Sequence, residues 1–160
     1  MRIETKNQLT IAYLNTIYGV KTDRGTFHIS PLRDNIELKN HCAHHQIKNW
    51  ALITPMNPRS ETLPPAENQA RLEAFEKELK DARLRYWESE SVLPEGTVAI
   101  VGEPMPEKGF LIAHVYPWEA VKLGFRYGQN AILVGTDDGL AELVWTDHES
   151  TVYFSHSNHH

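Results

Sequence analysis

The chain has 160 residues, 41% of them hydrophobic and 23% charged, a composition that suits one globular domain rather than a disordered or fibrous one. Its 21 acidic residues outnumber 16 basic ones, giving a net charge of -5, which argues against non-specific nucleic-acid binding. The single cysteine, Cys42, excludes an intrachain disulfide framework and a four-cysteine zinc site, and no apolar run approaches the ~20 residues of a membrane span.

In chain order, the polar opening Arg2, Glu4, Lys6, Asn7 lacks the apolar stretch of a signal peptide, so a cytoplasmic location is expected. Leu9, Ala12, Tyr13, Leu14, Ile17 and Tyr18 recur at helical spacing, with Gly19 as the stop. A turn at Asp23-Arg24-Gly25 leads to a short strand, Thr26-Phe27-His28-Ile29, placed at a sheet edge. A helix from about Asp34, its N-cap, towards Gln46 is expected on Ile36, Leu38 and Cys42. Trp50-Ala51-Leu52-Ile53-Thr54 has the continuous apolar character of a strand buried on both faces. The loop Pro55-Met56-Asn57-Pro58-Arg59-Ser60 follows, then a helix opened by Pro64-Pro65 with an apolar stripe of Leu72, Phe75, Leu79 and Ala82.

Leu84–Ser91 alternates as a strand. Thr97–Val101 and Phe110–Val115 are expected to pair as an antiparallel hairpin. A second helix opens at Pro117, runs through Trp118, Val121 and Phe125, and closes at Gly128. Ala131–Val134 and Leu140–Val144 form a last hairpin around Asp138-Gly139. The order predicts an α+β fold: a mixed or antiparallel sheet with helices mainly on one face, a split β-α-β-like core and an extra hairpin. Residues 1–150 make one domain, with an N-terminal helix and strand in 1–48 and the core in 49–146, and 151–160 form a tail.

Several polar residues fall where apolar ones are expected. Asn68 lies four positions before Leu72 and seven before Phe75, so it extends the apolar stripe of its helix. A core-facing amide must find partners, and the loop 54–60 is the nearest source; Asn68 either ties that loop down or faces a ligand. Asn57-Pro58-Arg59-Ser60 sits between a strand end and a helix start, where α/β folds collect ligands, although an Asn-Pro turn explains it as well. Arg59 or Arg71 could neutralise a phosphate or carboxylate. Glu103 follows a strand and could act as a general acid or base, as a hydrogen-bond anchor, or simply as a solvated turn residue. Gln129 and Asn130, between Gly128 and the strand Ala131–Val134, are expected to cap the helix end.

His41, His44 and His45 cluster around Cys42, and helical spacing puts His41 and His45 on one face, but no carboxylate completes a metal motif. Glu88 and Glu90 with Glu103 suit an exposed strand face better than a magnesium site. Phosphate-binding glycine motifs, a nucleophile elbow and an H-E-x-x-H pair are missing from the sequence. No metal or other cofactor is expected.

The segments Thr54-Pro55-Met56-Asn57-Pro58-Arg59-Ser60, Asn68, Arg71-Leu72, Gly102-Glu103-Pro104 and Phe125-Arg126-Tyr127-Gly128-Gln129-Asn130-Ala131, in that order, resemble the bacterial domain of unknown function 3293 family. The opening from Ala12-Tyr13 to Tyr18 is similar to that family's start, so the likeness covers most of residues 9–145. Pro55-Met56 departs from it, small or aromatic residues being expected there. The resemblance brings no activity with it; it implies that Asn57, Asn68, Glu103 and Gln129 belong to one site.

The expected function is binding of a small polar ligand, nucleotide-like or bearing amide or phosphate groups, by Asn57, Arg59, Ser60, Asn68, Arg71, Glu103 and Gln129. The alternatives are a hydrolase or transferase with Glu103 as general base, and a protein-interaction module in which the polar residues brace the fold. Neither a membrane nor nucleic acid is expected as partner.

Overall fold

Trp50 to Ile53 is apolar at every position because it lies in mid-sheet with a hydrophobic layer on each side. Trp50 and Leu52 enter one buried cluster, Ala51 and Ile53 the other. In the computed structural model, which describes residues 2–92, 106–147 and 153–154, this strand is β3 (Asn49–Ile53). Before it come α1 (Ile3–Asn15), β1 (Ile17–Thr22), β2 (Gly25–Ile29) and α2 (Ile36–His45). After it come a 3-10 turn (Pro58–Ser60), α3 (Pro65–Asp81), β4 (Tyr86–Val92), β5 (Glu107–Ala113), α4 (Pro117–Arg126), β6 (Ala131–Thr136), β7 (Ala141–Trp145) and β8 (Tyr153–Phe154).

The strands form one sheet in the order β2-β1-β4-β5-β3-β6-β7-β8, and each of its pairings is antiparallel. The fold is therefore α+β, as the sequence implies. Its core is two interleaved split β-α-β units. β3 and β4, joined by α3, flank β5; β5 and β6, joined by α4, flank β3. This β-α-β-β-α-β order is that of ferredoxin-like folds. Phe75 and Leu79 of α3 and Ala120 of α4 pack on the same face of the sheet, the one-sided arrangement expected for the core. The N-terminal segment adds a second layer. Leu38 and Cys42 of α2, with Tyr13 and Leu14 of α1, cover the opposite face. The extra hairpin is β6–β7.

Three expectations need correction or fall outside the structure. The first helix does not reach Tyr18: it ends at Asn15, Thr16 turns extended, and Ile17–Thr22 pairs with both β2 and β4. Two neighbouring strands offer those backbone groups a ladder, which outweighs the helical spacing of Ile17 and Tyr18. At the start of α2 the N-cap is Asn35 rather than Asp34. The Asn35 amide does not cap the helix but donates to the carbonyls of Ser30, Arg33 and Gly139 and accepts from Ser30 N–H. Thr97–Val101 and Glu103 lie outside the described residues, and so does most of 151–160. Phe110–Ala113 pairs with β4 and β3. Among the described residues, no helix is long and apolar enough to cross a membrane.

Among the described residues, one buried side-chain nitrogen lacks a hydrogen-bond partner, with a measurable consequence. His41 on α2 is 9% exposed, and its Nε2 has no hydrogen-bond partner among the described residues. Its ring packs 4.4 Å from Trp87, 4.6 Å from His45 and 5.0 Å from Phe27, centroid to centroid. Burial, then the charges of His45, Arg85 and His44, push its pKa down from 6.5 to about 4. Between those values the unfolded chain takes up a proton that the folded state refuses, so stability must fall as pH drops through this window and level off below it. We expect a loss of about 1–3 kcal/mol, followed by denaturant unfolding over that pH range. His41→Phe should flatten that part of the profile; an unchanged slope would mean His41 is not the group responsible.

Candidate functional site

The antiparallel register puts the starts of β1, β5 and β6 and the ends of β3 and β4 at one end of the sheet. The loop leaving β3 crosses this end in an unusual conformation. Asn57, Arg59 and Ser60 all have left-handed backbone, with φ of 48°, 55° and 63°. Each non-glycine residue held this way costs about 1–2 kcal/mol, somewhat less for Asn, so something must impose it.

That something is a set of side-chain amides and an arginine. Asn57 and Asn68 pair reciprocally: Asn57 N–H donates to Asn68 Oδ1 at 3.0 Å, and Asn68 Nδ2 donates to Asn57 Oδ1 at 2.8 Å. Leu63 N–H adds a second donor to Asn57 Oδ1 at 3.0 Å. Arg71, one turn further along α3, donates from Nε to the Pro55 carbonyl at 2.5 Å and also to the Tyr127 carbonyl. Gln129 Nε2 donates to the Met56 carbonyl at 2.9 Å. Arg59 N–H donates to the Gly128 carbonyl at 2.6 Å. Gly128 has φ of 75° and lies so close to the loop that a Cβ there would come within 2.6 Å of Pro58 Cβ. Glycine is required on both counts.

Within this frame a second group of polar side chains gathers on the α1 face of the sheet. The hydroxyls of Tyr13 and Ser60 share a hydrogen bond of 3.1 Å, and Asn130 Nδ2 donates to Ser60 Oγ at 3.2 Å and to Tyr13 Oη at 3.4 Å. Tyr18, Ser91 and Glu107 stand directly opposite one another across β1, β4 and β5, so their side chains share that face. Asn57 links the two groups, donating from Nδ2 to Glu107 Oε2 at 2.9 Å. Burial raises the Glu107 carboxyl above its ordinary pKa, with the Asn57 donor opposing. Burial also raises Tyr13 and Tyr18, and the charge of Glu107 raises them further.

Of the residues singled out in the sequence, Asn57, Arg59, Ser60, Asn68, Arg71 and Gln129 all meet at this end of the sheet. They differ in what their polar atoms do. Asn68, Arg71 and Gln129 are engaged with the loop itself, whereas Ser60 and the Nδ2 of Asn57 turn towards the hydroxyl and carboxyl group. Arg59 is exposed. Sequence reasoning overlooked Glu107, Tyr13, Tyr18 and Asn130 as members. No local signal marked Glu107, which opens its strand beside Lys108 in a polar stretch.

The rings of His41, His44 and His45 pack against one another, and His41 and His45 against Trp87, in tilted or edge-on contacts. Among the described residues, no group of three or more His, Cys, Asp or Glu side chains is arranged to hold a metal ion.

A family model described as protein of unknown function (DUF3293) matches residues 53–132, half of the chain. The chain belongs to this family. The matched stretch contains the loop, Asn68, Arg71, Glu107, Gln129 and Asn130, while Tyr13 and Tyr18 lie before it. No curated protein and no solved structure matches the chain.

The loop's energetics are testable. Asn57→Ala leaves the Asn68 amide and Leu63 N–H without their acceptor and should cost about 2–4 kcal/mol. Arg59→Gly relieves a left-handed residue and should raise stability by about 0.5–1 kcal/mol after the added freedom of the unfolded chain is counted. Chemical denaturation of both variants checks the pair; a destabilised Arg59→Gly protein would contradict the account of strain.

Proposed function

We propose that this domain binds a small polar molecule rich in N–H donors, held by Tyr13, Tyr18, Ser60, Glu107 and Asn130 at the loop end of the sheet. One observation carries the reading: hydroxyl, amide and carboxyl groups from four separate parts of the chain converge beside a loop held in left-handed backbone. Strain of that kind is maintained at sites that need a fixed geometry, and here the supporting amides are separate from the groups offered to a ligand. Asn57, Asn68, Arg71 and Gln129 are positioning residues in this scheme. Glu107 favours donor-rich ligands over phosphate, since a carboxylate repels an anion, and Arg59 at the exposed rim is the nearest cation of the loop. The buried, unpaired Cys42 accords with a reducing compartment, so we place the protein in the cytoplasm.

A second reading, general acid-base catalysis, is favoured by Glu107 itself, a carboxyl whose pKa is raised by burial next to two tyrosines. In that reading Glu107 takes the role that the sequence suggested for Glu103.

The test is a thermal-shift screen of nucleobases, nucleosides and primary amides against the full chain and two variants. Binding predicts a dose-dependent rise in melting temperature with at least one compound. That rise should fall away in Tyr13→Phe and Ser60→Ala, both of which keep a cooperative transition. A screen in which nothing shifts the melting temperature, or a shift that both variants retain, would overturn the reading. Turnover of the bound compound, lost in Glu107→Gln with binding kept, would establish the catalytic alternative instead.

A further inference from the structure

Among the described residues, Glu107 is a largely buried carboxyl group with no counter-charge. The one side-chain donor it receives is the neutral Asn57 amide. It takes part in none of the ion pairs of the described residues, which join Lys6 to Asp147, Lys21 to Glu90, Lys48 to Asp137, Lys77 to Asp81 and Arg126 to Glu78. Arg71, the cation built into the loop, directs its donors to the carbonyls of Pro55 and Tyr127. Residues 93–105, which precede Glu107 in the chain, include no Lys, Arg or His, and residues 148–160 include no Lys or Arg. Around the carboxyl stand hydroxyl groups: Tyr18 and Ser91 in its own row across the sheet, and Tyr13 with Ser60 beyond.

Buried carboxylates are ordinarily paired, because an isolated one costs several kcal/mol in lost hydration. We propose that the missing counter-charge belongs to the ligand, which presents a cationic nitrogen group, an ammonium or guanidinium, to Glu107. This deepens the reading above and rests on it. A divalent metal ion fits poorly, since it draws on several carboxylates or six or more oxygen ligands and this face offers one carboxyl. An organic cation needs one carboxylate and a few hydroxyl or amide acceptors, which is the set present.

Isothermal titration of the full chain with three matched probes tests this. Nα-acetyl-argininamide and Nα-acetyl-lysinamide carry one side-chain cation each; Nα-acetyl-citrullinamide has the shape of the first with a neutral urea group. At least one cationic probe should bind saturably, with citrullinamide at least about tenfold weaker. Glu107→Gln keeps an acceptor for Asn57 and removes the charge. It should therefore fold, be no less stable than the parent at neutral pH, and lose at least about tenfold in affinity for the cationic probe. In the parent protein the same affinity should fall as acid protonates Glu107, while Tyr13 and Tyr18, the other titratable groups facing it, stay neutral throughout. Equal binding of the neutral and cationic probes, or full affinity in Glu107→Gln, overturns the proposal. If all three probes fail while a neutral compound from the thermal-shift screen binds, the cationic assignment falls and the binding reading stands. If neither set binds, both fall.

Discussion

The side chain of Asn57 is the constraint on which this end of the molecule depends. Its oxygen accepts from Asn68 and Leu63, its amide nitrogen donates to Glu107, and its own backbone N–H is taken by Asn68. No other residue type supplies an acceptor and a donor at this length while tolerating left-handed backbone. Aspartate would keep the acceptor but set a second carboxylate against Glu107. Glutamine would keep both groups one methylene too far out. The turn into Pro58 and the approach of Gly128 complete the anchoring, with Arg59 N–H donating to the Gly128 carbonyl.

The framework explains how such distant residues meet. In two interleaved split β-α-β units, the loop after β3 and the turn after α4 emerge side by side, since β3 and β6 are neighbours running in opposite directions. Arg71 bridges them from α3. The opposite face of this core would be bare without the N-terminal segment. α1 and α2 cover it, β1 and β2 extend the sheet beyond β4, and α1 and β1 bring Tyr13 and Tyr18 to the polar end. The family match runs from the end of β3 to the start of β6, so the candidate site joins the matched core to an N-terminal layer that precedes it.

Most of the framework was legible in the sequence. β3 betrayed its two-sided burial by being apolar throughout, α3 its inner face by a stripe, and the β6–β7 hairpin its turn by Asp138-Gly139. The stripe also exposed Asn68 as an amide in a core position, and the partner anticipated for it, the loop after β3, is the one it has. What failed was the boundary between α1 and β1, where spacing alone cannot register that two strands compete for the backbone of Ile17–Thr22. The candidate site was legible in its braces and not in its centre. Tyr13 was absorbed into an apolar helical pattern and Asn130 into a helix end. Glu107 sits beside Pro106 in a polar stretch, and only the strand register reveals that it faces Tyr18 and Ser91.

The division between braces and centre has a physical logic. Neutral amides can hold a loop permanently because their hydrogen bonds are complete within the protein, and completeness is what makes a buried polar network rigid. A carboxylate with one neutral donor is the opposite case, since its interactions are unfinished and the folded state is poorer for it. Relieving that burden would be simple, for a glutamine at position 107 would satisfy Asn57 equally well. A charge that a neutral isostere could replace with benefit to the fold is the physical ground for proposing that position 107, beside hydroxyls held by a strained loop, meets a ligand.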